Sequence, residues 1–357
     1  MTPVRRGTLA LAALACAAAT AGCGGDREVE IPAAPFPSVS PGDPDAADPT
    51  RGPAADATTP SPLPSMMASQ VRATSLSRRV VDKVTIHKGP DWLAAGAGSV
   101  WVKTDSGSVV RVDPATTREV ASIAASPGAL CQGLGASDTA VWTCGDGGTV
   151  IRIDPARNEV AATVEVGKYG DQGQIPIAFG RAWVLTGDGS RLTPVGEDDR
   201  PQPTLELGTK CIDLTASATA IWAACPIDGV ALRIEPATGQ VTARIEGLTS
   251  SRAISAANGQ VWVGFVGGVA RIDEASLRVT AVADADPGLE AGIAATPEDL
   301  WARSGGDFLR RIDPVSGEVL ERLTAPGSGG GEVLVAFGSV WATEYDADVL
   351  YRISPNP

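Results

Sequence analysis

Gly98-Ser99-Val100-Trp101-Val102, followed ten residues on by Arg111-Val112-Asp113-Pro114, is the phrase on which the fold turns. It returns as Gly180-Arg181-Ala182-Trp183-Val184 and as Gly338-Ser339-Val340-Trp341-Ala342. Seven of the eight tryptophans stand at Trp101, Trp142, Trp183, Trp222, Trp262, Trp301 and Trp341, in steps of 39 to 41 residues. The second half recurs at Arg152-Ile153-Asp154-Pro155, Arg233-Ile234-Glu235-Pro236 and Arg311-Ile312-Asp313-Pro314, with weaker copies at Arg191, Arg271 and Arg352. Self-similarity at such a period is the mark of a repeat architecture, so the repeat is read before any local element.

Within one period the pattern reads as four short strands. In the fourth unit these are 212–216 (strand a), 220–224 (b), 230–234 (c) and 241–245 (d). Asp-Gly pairs at Asp146-Gly147, Asp188-Gly189 and Asp228-Gly229 mark the b–c hairpins. Pro-Ala-Thr-Gly and Pro-Val-Ser-Gly phrases supply the c–d turns. No window carries helical periodicity. The expectation is an all-β, seven-bladed β-propeller of four-stranded blades over residues 78–357. The seventh unit ends after its strand c, while 80–86 resembles the other d strands. That N-terminal strand is therefore expected to complete the last blade and hide the sheet edges.

The phrase pattern Gly-x-Val-Trp-Val with Arg-Ile-Asp-Pro-x-Thr-Gly-x-Val resembles the bacterial YVTN/NHL-type propellers that include the streptogramin (virginiamycin B) lyases. The resemblance covers roughly residues 80–357 and implies a central site with a catalytic histidine, acidic residues and magnesium. The single histidine, His87, follows the closing strand at an outer position, which departs from that pattern.

Ahead of the repeats lie two further segments. Arg5 and Arg6 precede an apolar run over 9–21, and small residues lead to Cys23. This reads as an export signal over 1–22, too short for a permanent span. Thr20-Ala21-Gly22-Cys23 resembles a bacterial lipobox, with Thr20 where the family prefers Leu. Acylation of Cys23 and conventional cleavage are the two outcomes open to it, and the acylated form is the one adopted. Residues 23–77 are rich in Pro, Asp, Ala, Ser and Thr, the composition of an extended, disordered tether. The expected location is the outer face of the bacterial cell membrane, or the periplasmic side in a Gram-negative host.

The formal charge of −13 and the absence of a basic block argue against nucleic acid as a partner. Four cysteines remain in the repeats, and the repeat pairs them. Cys131 and Cys144 flank Trp142 as Cys211 and Cys225 flank Trp222, at opposing ends of strands a and b. Disulfides Cys131–Cys144 and Cys211–Cys225 are expected, rather than a four-cysteine zinc site.

The tryptophans are read as wedges between sheets and the arginines as inter-blade ion-pairing groups or a solvated edge. Aspartates on the b–c loops (Asp105, Asp146, Asp188, Asp228, Asp307 and Asp346) are assigned to turn geometry rather than calcium. Non-repeating polar residues at the channel mouth are the binding-site candidates: Asp91, Gln132, Gln174, Asp213, Arg252, Glu290 and Glu332. No catalytic residue, metal or cofactor is assigned. The function expected is a monomeric, lipid-anchored binding module for a small molecule or an envelope protein. The alternatives are a carboxylate-dependent enzyme of the lyase type, with Glu290 and Glu332 as paired carboxylates, and an envelope assembly scaffold working through the rim.

Overall fold

Each repeated tryptophan is buried, none more than 3% exposed, and each packs onto the following blade. Trp101 of blade 1 lies against Leu134, Val141 and Ile153 of blade 2, and the pattern continues until Trp341 of blade 7 lies against Val100 and Val102 of blade 1. Seven apolar clusters thus sit at the seven blade interfaces. Bulky rings fill the wedge that opens between radially arranged sheets. Three indole N–H groups are satisfied locally, Trp101, Trp183 and Trp341 donating to the carbonyls of Gly96, Ala178 and Ala336 at 3.0–3.1 Å, while that of Trp222 reaches Glu274 of the next blade at 3.4 Å.

This computed structural model describes residues 64, 70–126, 133–168, 173–284, 292–327 and 330–356. It is a seven-bladed β-propeller. Each blade is an antiparallel sheet in the order a-b-c-d, with strand a innermost. Blade 4, for example, comprises Asp213–Ala216, Ile221–Cys225, Val230–Ile234 and Val241–Ile245. Connections d–a and b–c therefore lie on one face of the ring, and the a–b and c–d turns on the other.

The ring closes as the repeat predicts. Val80–Thr85 pairs antiparallel with Val349–Ile353, strand c of blade 7. A recurrent β-bulge identifies it as a true strand d. The register slips past Val81, as it slips past Val120, Ala161, Thr242, Thr280 and Leu320 in blades 1, 2, 4, 5 and 6. A bulge leaves its extra residue unpaired and turned outward. This explains why Val81, Val120 and Leu320 are exposed despite their strand positions.

The chain joins the propeller a little before residue 78, the expected start of the domain. Thr74–Ser75 adds a parallel fifth strand to strand d of blade 6, and Leu76 is buried in the interface of blades 6 and 7.

The arginines prove to be latches across the blade interfaces. Arg111 donates to Pro155 O at 2.6 Å, Arg271 to Pro314 O at 2.9 Å, and Arg352 to Ala115 O at 3.0 Å. Arg152 forms a two-point pair with Asp199 at 2.5 and 2.7 Å, and Arg233 approaches Glu274 at 3.9 Å. Two interfaces depart from the repeat. In blade 3 the residue opposite the tryptophan is Pro194, so Arg191 pairs on the rim with Glu206 and Arg181 latches onto Pro236 O. Between blades 6 and 7, Arg79 bridges Glu321 and Ser354 O, while Arg311 pairs with Asp299 in its own blade.

Candidate functional site

The innermost strands converge until their backbones touch. Ile175 N–H donates to Leu134 O at 2.9 Å and Gly173 N–H to Ile212 O at 2.8 Å, each across a blade boundary. Gly135 permits this approach, since a Cβ there would lie 1.8 Å from Ile175 O. What remains at the axis is a cavity of about 270 Å³ to which strand a or its lead-in from all seven blades contributes. Many of its aliphatic lining residues turn their side chains into the blade cores, so the surface it presents is more polar than apolar, and its polar side chains include Gln174, Asp213, Thr215, Ser255 and Glu332.

Asp213 opens strand a of blade 4 and is 3% exposed. Its Oδ1 accepts the N–H groups of Gln174 at 2.8 Å and Leu214 at 2.9 Å, and its Oδ2 accepts that of Ile254 at 2.9 Å. One carboxyl group thereby ties strand a of blade 4 to both neighbours. Burial drives its pKa up to about 7 against the opposing pull of these three donors. Gly173 makes room for it, because a Cβ there would sit 2.0 Å from Oδ1.

Glu332 precedes strand a of blade 7 and is 5% exposed. Its Oε1 accepts Val333 N–H at 2.9 Å. Burial holds its carboxyl well above the ordinary range, reinforced by the charges of Asp213 and Asp91 and opposed by Arg303. Here too a glycine clears the space, as a Cβ on Gly292 would fall 1.5 Å from Oε1.

Of the candidates read from the sequence, Gln174, Asp213 and Glu332 line one cavity, and the Gln174 side-chain amide crosses to Leu93 O at 3.2 Å. Asp91, half-buried on strand a of blade 1, does not line it but adds its charge beside Glu332. Arg252 stands outside the lining, with a buried Nε that finds no hydrogen-bond partner among the described residues. Gln132 and Glu290 lie outside the described residues.

Several charged neighbours escaped the sequence reading. Lys103 and Arg303 stand two residues beyond the tryptophan on strand b of blades 1 and 6, where other blades carry Cys144, Leu185, Ala224, Gly264 or Thr343. That break in the repeat was the signal available. Lys103 is 1% exposed and donates to Thr104 O at 3.1 Å; burial lowers its pKa against the charges of Asp105, Asp91 and Asp146. Arg303 donates to Phe308 O at 2.5 Å and Gly330 O at 3.3 Å, and its guanidinium lies 3.8 Å from the Phe308 ring centre. Burial brings it down to about 10, opposed by Glu332, Glu344 and Asp91. Tyr351 donates to Glu344 Oε2 at 2.8 Å, and burial together with that carboxylate raises the phenol to about 12.

Cys211 and Cys225 form a disulfide that fastens the lead-in of strand a to the end of strand b in blade 4, two residues from Asp213. Cys131, the expected partner of Cys144, lies outside the described residues. Four of the six b–c aspartates engage neighbouring side chains. Asp188 pairs with Lys168 at 2.9 Å, Asp228 with Arg244 at 2.7 Å, Asp307 with Arg310 and Arg322 at 2.7 and 2.8 Å, and Asp105 accepts the Tyr345 hydroxyl. Among the described residues no group of three or more His, Cys, Asp or Glu is placed to hold a metal ion. The histidine-and-magnesium centre implied by the lyase resemblance does not fit these residues. His87 is 80% exposed beside Asp348 on the closure seam and does not line the cavity.

Comparison with solved structures agrees with the architecture. The chain is similar to hydrazine synthase of Kuenenia stuttgartiensis, with 15% identity over 76% of this chain and 97% of that one and a TM-score of 0.63. It is similar to streptogramin B lyase, with 16% identity over 76% and 96% and a TM-score of 0.62. It also resembles the Pan2 WD40 domain of Neurospora crassa, with 13% identity over 82% and 98% and a TM-score of 0.61. These neighbours share the propeller and differ in function. No family model and no curated protein matches the sequence.

Proposed function

We propose that this chain is a non-catalytic binding module, held at the outer face of the bacterial cell membrane by acylated Cys23, and that it takes a small ligand in its central channel. The observation that carries the channel reading is the convergence of Gln174, Asp213 and Glu332, three non-repeating residues of a repeated frame, on one cavity. A concave site with a few convergent polar groups is the usual form of a small-molecule site. The export signal and the Pro-rich stretch before the propeller support the membrane tether.

The test is thermal unfolding of the purified full chain against envelope metabolites, sugars, metals and antibiotics. A ligand at a hundred times its Kd adds about 2.7 kcal/mol to stability. Such a shift, lost in Thr215→Trp where the new ring fills the cavity, supports the channel reading. A library without effect refutes it and favours a scaffold acting through the rim. The raised carboxyls of Asp213 and Glu332 favour one second reading, general acid–base chemistry on the bound molecule. Chemical conversion of the stabilising ligand during incubation would distinguish that reading from simple binding.

A further inference from the structure

Glu332 is an exceptional group for a cavity wall. It is 5% exposed, and its Oε1 is occupied by Val333 N–H. Its Oε2 accepts no hydrogen bond from the described residues and is not among their buried unpartnered atoms, so it stays accessible from the cavity. Among the described residues no lysine, arginine or histidine lines the cavity. The nearest guanidinium, Arg303, is directed at the carbonyls of Phe308 and Gly330 and at the Phe308 ring. Asp213, on the opposite arc of the ring, adds a second carboxyl whose donors are all backbone N–H groups.

We propose that the channel ligand is a small aliphatic amine, its ammonium group seated against Glu332 and its methylene chain against the part-exposed apolar side chains of the lining. The inference rests on the reading of the channel as a binding site and names the ligand class. An ammonium supplies the hydrogen-bond donors that Glu332 Oε2 lacks, and its charge offsets the cost of ionising a buried carboxyl. An anion would meet two acidic groups with no compensating base. A neutral ligand would forgo the charge-assisted hydrogen bond to Glu332. Ile177, Leu334 and Val335, the part-exposed apolar side chains of the lining, can meet a short hydrocarbon chain. The volume, about 270 Å³, lies below the usual range for drug-sized ligands, so the chain is short. A hard metal ion fits less well, because it demands six or more oxygen ligands and the described residues hold no such group. A net charge of −13 further favours accumulation of cations at the protein.

The experiment is calorimetric titration of the full chain with 1,4-diaminobutane and n-butylamine, set against 1-butanol, butyrate and calcium chloride. Both amines are expected to bind and the three comparators not to. Glu332→Gln should weaken amine binding at least tenfold, while Glu298→Gln, an exposed carboxylate outside the cavity, leaves it unchanged. The charged groups facing Glu332 are Asp213, Asp91 and Arg303. Because protons compete with the amine for the raised carboxyls, affinity should fall at least tenfold between pH 8 and pH 5.5, and binding near neutrality should release protons to the buffer. Far-UV circular dichroism and the melting curve of Glu332→Gln establish that the variant is folded.

Equal binding of butanol and butylamine, binding of calcium alone, absence of amine binding, or an unchanged affinity in Glu332→Gln overturns the proposal. The two readings fail separately. A neutral or anionic ligand whose stabilising shift disappears in Thr215→Trp leaves the channel as a binding site and removes the amine. Amine binding undiminished in Thr215→Trp lies outside the cavity and overturns the amine site.

Discussion

Asp213 Oδ2 accepts the amide N–H of Ile254 at 2.9 Å, across the boundary between blades 4 and 5, while Oδ1 of the same carboxyl reaches back to Gln174 of blade 3. A group read from the sequence as a ligand contact is also a staple joining three consecutive inner strands. Asp213→Ala strands three backbone donors, each costing about 1–3 kcal/mol when buried without a partner. Asp213→Asn keeps an acceptor for one side only. The expected order of denaturant midpoints is wild type, then Asn, then Ala, with Ala at least about 2 kcal/mol down. Equal midpoints for all three would remove the staple.

Asp213 also sets a pH dependence. Its carboxyl rises from an ordinary value of 3.8 to about 7 in the folded chain, so between those values the native state holds more protons than the unfolded one. Stability from this group is full below about pH 4 and declines as pH rises through about 7, by on the order of 4 kcal/mol. The melting temperature of the wild type should fall between pH 5 and pH 8 more steeply than that of Asp213→Asn.

Gly292 has an ordinary backbone conformation, so its role is spatial. A Cβ there would sit 1.5 Å from Glu332 Oε1. Gly292→Ala should cost about 1–3 kcal/mol through overpacking. Much of that loss should be recovered in the double variant with Glu332→Ala. A double-mutant cycle by urea unfolding measures the coupling, and strict additivity would mean that the two positions do not meet.

The Cys211–Cys225 disulfide closes a loop of sequence separation 14. By the chain-entropy argument, replacing both cysteines with serine should cost about 3 kcal/mol. Denaturant unfolding of the double variant, compared with the oxidised wild type, gives the value directly.

The arginine latches differ from rim arginines in what they reach. Arg111 spends its guanidinium on Ser99, Ala97 O, Pro155 O and Asn158, whereas Arg191 pairs with Glu206 at an exposed position. Arg111→Ala should cost about 1.5–3 kcal/mol, and Arg191→Ala less than about 1 kcal/mol. Removing residues 80–86 is more severe. It strips blade 7 of its strand d and exposes the edge of Val349–Ile353, and the expected result is aggregation seen by light scattering.

The repeat made the architecture legible because a propeller asks the same thing of every blade. Each interface needs a wedge-filling ring, each b–c connection a tight turn, and each strand c a cation facing the next blade. Arg191 shows the limit of that logic. It matches the phrase but not the register, since Pro194 stands opposite Trp183 and the latch passes to Arg181. Lys103 and Arg303 show the converse. They break the repeat at one position, but their burial beside Glu332 and Asp91 depends on how neighbouring blades pack.

By itself the sequence determined the number of blades, their four strands, the wedge tryptophans, the Cys211–Cys225 pairing and the closure of blade 7 by the N-terminal strand. All of these follow from periodicity and local pairing, which are properties of the chain in one dimension. Only the tertiary structure decided which channel-mouth residues meet. Asp213 and Glu332 are 119 residues apart in the chain and influence each other through a cavity to which all seven blades contribute. Their raised proton affinities arise from burial, and burial is created only when the inner strands of the ring close around them.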